Sequence, residues 1–122
     1  MVLSEFTYDA LAVLRASGSQ GVGTETGTGV ALGPTGVIKA NCVVTVVGAS
    51  GTLTLHLEGS DDDSTYYDIP GGAFLDPSDG AVIDAVGKYE IYIKTAFEYI
   101  RTVAVVATAA ITWECFLSEA GK

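Results

Sequence analysis

Apolar and polar positions alternate with a period of two along much of this 122-residue chain, and that period predicts β-strands. The cleanest run is 51–58, where Leu53, Leu55 and Leu57 share one face and Thr52, Thr54, His56 and Glu58 the other. In 37–47, a run rich in Val, Ile and Thr, Val44 and Val46 alternate with Thr45. In 88–94, Tyr89, Ile91 and Ile93 oppose Glu90 and Tyr92; in 110–117, Ile111, Trp113, Cys115 and Leu117 oppose Thr112, Glu114 and Phe116. Between these two, 99–107 is aromatic and β-branched, the composition of a strand. Turn residues crowd the gaps. Gly48-Ala49-Ser50-Gly51 has the length of a hairpin connection, and the Asp and Ser side chains of 58–65 bond their own backbone in turns. Pro70-Gly71-Gly72 is expected to end a short strand begun at Tyr66. Residues 71–87 read as loop, with room for a short strand at Val82-Ile83.

The N-terminal third reads differently. Residues 7–16 match helix and strand templates about equally, and the β character of the rest favours a strand. The Gly/Thr/Ser tract 17–29 has too little apolar surface to build a core and is expected to form an arm, either flexible or ordered on a partner. A short strand resumes at 30–32, followed by a turn at Gly33-Pro34-Thr35-Gly36. The expected fold is an all-β, antiparallel β-sandwich of jelly-roll or Ig-like type. It forms a single domain over 30–122, preceded by an N-terminal strand and arm over 1–29.

Composition narrows the function classes. Apolar residues make up 48% and charged residues 17%, which excludes a disordered chain. The net charge of −9 argues against nucleic acid, which needs a basic footprint, and against an anionic membrane surface. The N-terminus has no basic region and no apolar run of the kind that marks a signal peptide, so synthesis and residence in a cytosol are expected. The charge is uneven: eight of the fifteen acids fall between Glu58 and Asp84, a stretch with no Lys or Arg. Cys42 and Cys115 sit in apolar strand-like runs and read as buried free thiols; a disulfide requires that their strands be neighbours.

Candidate chemistry is sparse. Asp61, Asp62 and Asp63 could offer oxygen ligands to a cation, but they lack the spacing of a calcium-binding helix-loop-helix and read as a solvated turn. Residues 60–67 match the Asp-box hairpin only at Ser60 and Asp62. His56, the only histidine, has no visible nucleophile beside it, and no enzymatic activity or cofactor is expected. Aromatic side chains on outward positions mark protein interfaces, and the candidates are Tyr66, Tyr67, Tyr92, Phe97 and Phe116.

Three stretches resemble a group of small tailed-phage virion proteins: residues 27–36, residues 43–62 with their Thr-Leu-Thr-Leu-His-Leu-Glu-Gly-Ser-Asp-Asp run, and residues 98–113 with Tyr-Ile-Arg-Thr-Val. The likeness covers roughly residues 27–117 and brings no residue-level site with it; residues 1–16 have no counterpart. It implies a β-sandwich that decorates or cements a capsid, binding the major capsid protein across capsomers on the virion surface. Three-fold positions on a shell would favour a homotrimer. The alternatives are a carbohydrate-binding or adhesion module and a tail-associated virion protein. On this reading the acidic 58–84 region points outward or toward a basic capsid patch.

Overall fold

The computed structural model describes residues 10–32, 38–74 and 83–119. The alternation becomes burial: Leu53, Leu55, Leu57, Val44, Val46, Ile111, Trp113 and Leu117 are at most 1% exposed. Tyr89 and Ile91 pack half-buried against the same core.

Nine strands carry the described residues: β1 (Ala10–Gln20), β2 (Gly23–Thr26), β3 (Val30–Ala31), β4 (Ile38–Ala49), β5 (Thr52–Ser60), β6 (Tyr67–Phe74), β7 (Gly87–Thr95), β8 (Tyr99–Ala107) and β9 (Ile111–Glu119). They form two antiparallel sheets packed face to face. One has the order β1-β9-β4-β7; the other runs β2-β8-β5-β6, with β3 also on β8. The pairing is nested. β1 pairs with β9, β2 and β3 with β8, β4 with β7, and β5 with β6. A long hairpin rolled up in this way also brings β4 against β9 and β5 against β8. This is the connectivity of a jelly roll and not the seven-stranded arrangement of an immunoglobulin sandwich.

Three expectations change. First, residues 17–29 do not form an arm detached from the sandwich. Residues 17–20 complete β1, β2 pairs with β8, and the Gly27 amide donates to the Thr102 carbonyl at 2.8 Å. The tract supplies backbone hydrogen bonds to a sheet edge and not core volume, so its polar composition was a poor guide. Residues 1–9 of the expected arm lie outside the described residues, as does the expected turn at 33–36. Second, Gly48–Gly51 is not a hairpin within one sheet. It carries the chain from β4 to β5, which lie in opposite sheets, because both sides of each strand are already taken. Third, Pro70 does not end its strand. β6 runs on to Phe74 through a register shift between the Glu58–Asp68 and His56–Ala73 pairs, a bulge on an edge strand, where proline is tolerated. Ile83 is fully buried and exchanges two backbone hydrogen bonds with Leu53.

Polar groups latch the β1 edge. Register shifts between β1 and β9 surround Arg15 and turn its side chain inward. There it lies 4.5 Å over the Trp113 ring, donates to the Trp113 carbonyl at 2.7 Å, and pairs with Glu25 of the opposite sheet at 2.7 Å. Gln20, 5% exposed, accepts from Trp113 Nε1 at 3.0 Å and donates to the Ala104 carbonyl at 3.0 Å. Every strong polar group of this network has a partner, the condition under which buried polar groups specify one packing.

Cys42 and Cys115 lie on the neighbouring strands β4 and β9, buried and free, with their sulfurs 3.4 Å apart. The Cys115 hydrogen bond and burial push the Cys42 thiol well above its ordinary value, so it stays protonated and weakly nucleophilic.

Candidate functional site

The described residues concentrate exposed chemistry at the β5–β6 hairpin and the β8 strand beside it. The hairpin tip is built on Asp62. Ser60 Oγ donates to Asp62 Oδ1 at 2.9 Å, and the same oxygen accepts the Ser64 and Thr65 amides at 2.9 and 3.0 Å. Those two backbone amides, with Ser60, hold the Asp62 carboxyl below the usual aspartate value. This is the local side-chain-to-backbone bonding expected of the Ser60/Asp62 match. Asp63, at φ +59°, carries the left-handed turn residue and accepts a hydrogen bond from the Tyr66 hydroxyl. Two of the three candidate carboxylates are therefore engaged inside the hairpin, while Asp61 lines a shallow depression with Ala96 and Phe97.

Arg101 ties the hairpin to the sheet. Strand register sets it opposite Glu58, and its Nε and Nη2 both donate to Glu58 Oε1, at 2.9 and 2.7 Å. Its guanidinium lies 3.8 Å over the Tyr66 ring. Burial alone pushes the Glu58 carboxyl up, but the Arg101 and His56 hydrogen bonds and charges together outweigh it and hold the group below the usual glutamate value. The second Glu58 oxygen faces His56, whose Nε2 lies 3.3 Å from it and 3.5 Å from Asp68 Oδ1. His56 and Glu58 share a face because they are two apart on β5, and Asp68 joins them because β6 pairs with β5 at Glu58. Among the described residues, these three form the grouping able to hold a metal ion.

The aromatic candidates divide. Tyr66, Tyr67 and Phe97 come together. Phe97 tucks under Gly59, where a Cβ would overlap its ring, and packs against the core. Tyr67 pairs with Gly59 across the strands, stacks on Phe97 at 6.3 Å and 12°, and leaves 60% of its surface exposed. On the opposite side of the tip, Gly29 leaves room for the Tyr66–Asp63 pair, which a Cβ would strike. Tyr92 and Phe116 lie on the other sheet, on β7 and β9, where Phe116 pairs with Val13 and Val43. Arg101 and the His56–Glu58–Asp68 grouping were not expected as a site. The spacing of His56 and Glu58 was visible in the alternation, but their neighbours depend on register.

Burial, followed by the Asp63 hydrogen bond, pushes the Tyr66 phenol up to about 12. Alkaline titration followed at the phenolate absorbance is therefore expected to include a step at about 12, and Tyr66→Phe is expected to remove it.

No known protein-family profile, curated protein or solved structure matches this chain.

Proposed function

We propose that this protein is a structural protein of a tailed-phage virion, one that decorates the capsid surface and stabilises the head by binding the major capsid protein across capsomers. The observation that carries the reading is the surface cluster of exposed Tyr67 with half-buried Tyr66 and Arg101, fixed in place by Glu58, Phe97 and the Asp62 turn. Tyr and Arg are the side chains that dominate interface hot spots, and a rigid platform lowers the entropy cost of docking them. A compact jelly roll of two packed sheets suits a small module used in many copies, and the resemblance of residues 27–117 to small virion proteins points the same way. A homotrimer matches the three-fold positions of a shell. The acidic residues of the hairpin then face solvent or a basic patch on the capsid.

A carbohydrate-binding module is the second reading, since jelly rolls also carry lectin sites. Two arrangements count against it. Arg101 lies over the Tyr66 ring, and Tyr67 stacks on Phe97, so each of these tyrosines has one ring face taken by a protein side chain.

Co-sedimentation with phage shells lacking their decoration protein tests the proposal. Saturable binding is expected, weakened about thirtyfold in Tyr67→Ala or Arg101→Ala if either is a hot spot. Absence of shell binding together with sugar-dependent retention on a glycan column would overturn it.

A further inference from the structure

The structure assigns a second role to the outer face of β5 and β6: a surface site for a divalent transition metal of the zinc type, held by His56 Nε2, Glu58 Oε2 and Asp68 Oδ1. Three observations support it.

The first is spacing. A charge-assisted N–H···O contact is about 2.7–2.9 Å long, the length of the Arg101–Glu58 bonds, at 2.7 and 2.9 Å. The His56 contacts are longer, 3.3 Å to Glu58 and 3.5 Å to Asp68. A tetrahedral zinc bound at about 2.0–2.1 Å keeps its ligand atoms about 3.3–3.4 Å apart. The imidazole therefore stands from the two carboxylates at the distance of coordination edges, and all three ligand atoms fall within 4.8 Å of one another. Asp68 is 83% exposed, so little packing opposes the side-chain rotation that closing the remaining edge requires.

The second is orientation. Arg101 places both of its hydrogen bonds on Glu58 Oε1 and leaves Oε2 toward His56. An outer partner that fixes a ligating carboxylate in this way is a regular part of metal sites. The ligands also sit on paired strands, and not on a loop that must be ordered on binding.

The third is donor type. One imidazole and two carboxylates suit zinc, cobalt and nickel, whereas calcium requires six or more oxygens and magnesium an octahedron of them. The two carboxylates match the charge of a dication, and the nearby Arg101 charge keeps the affinity moderate. Three protein ligands leave a fourth position for water.

Cobalt(II) titration of the untagged protein, followed by visible absorption, tests the site. One equivalent is expected to give the intense bands of four-coordinate cobalt, zinc to bleach them stoichiometrically, and calcium in excess to leave them unchanged. His56→Ala is expected to abolish the bands. Asp68→Asn alters an exposed side chain, preserves the fold, and is expected to weaken binding by at least about tenfold, the loss that even an outer partner can produce. The assignment is overturned if excess cobalt gives no bands and zinc no heat by calorimetry. It is equally overturned if His56→Ala or Asp68→Asn binds as the parent does, or if Asp61→Asn removes binding while His56→Ala does not.

Discussion

Trp113→Ala is expected to remove about 3–5 kcal/mol of folding stability, a large part of the about 5–15 kcal/mol available to a domain. Trp113 is fully buried on β9, flanked on one side by β1 and on the other by β4. Truncation leaves a cavity that strands paired on both sides cannot collapse into. It also strips Gln20 of its indole partner and Arg15 of the ring beneath its guanidinium. The urea midpoint is the measurement, and it should fall while the slope stays constant. Trp113→Phe separates the two contributions: it keeps most of the volume but leaves Gln20 Oε1 without its donor, for which about 1–3 kcal/mol is expected. A Trp113→Ala variant within about 1 kcal/mol of the parent would mean that the ring is not central to the packing.

Gly51→Val is the second large effect, at about 1–3 kcal/mol or more. Gly51 is buried at the crossing from one sheet to the other, and a Cβ there would overlap the carbonyl oxygens of Ala107 and Ala109. Those oxygens are backbone atoms of the β8–β9 turn and cannot swing aside like the end of a side chain. The turn is already constrained: Thr108 holds φ at +76°, the Ala109 amide donates to the Ala107 carbonyl at 2.9 Å, and the Ser50 amide donates to the Ala110 carbonyl at 3.3 Å. Gly48→Ala is the control. Its Cβ would meet Thr112 at 3.5 Å, an ordinary contact, so a change of less than about 1 kcal/mol is expected. Thermal unfolding of the two variants side by side should separate them clearly; equal midpoints would contradict the account of Gly51.

The strands were legible wherever burial followed the period of two. Leu53, Leu55 and Leu57, and Ile111, Trp113, Cys115 and Leu117, all point inward as the alternation requires. What the alternation could not convey was which strand lies beside which. The Gly/Thr tract illustrates this: β2 pairs through its backbone, and backbone pairing leaves no apolar mark on the sequence. Pro70 read as a stop because the bulge that accommodates it is set by the register of β6 on β5, which the residues around Pro70 do not record. The candidate site follows the same rule. The Asp62 turn could be read from Ser60 and Asp62 because its bonds span three residues or fewer. Arg101 meets Glu58, and Asp68 meets His56, only through the register of β5 with β8 and β6. Arg15 was obscured for another reason: the bulges on β1 turn a charged side chain inward at a position where no simple period predicts it.

The nested pairing has a kinetic consequence. The innermost pair, β5 with β6, joins segments separated only by the Asp62 turn, and closing such a loop is rapid. The outermost pair, β1 with β9, joins opposite ends of the described chain and gains its contacts only after most of the loop-closure entropy has been lost. Folding on the millisecond-to-second scale of non-local β-topologies is therefore expected. The β1–β9 seam should form last, and hydrogen exchange there should show the earliest opening once Arg15 or Gln20 is removed.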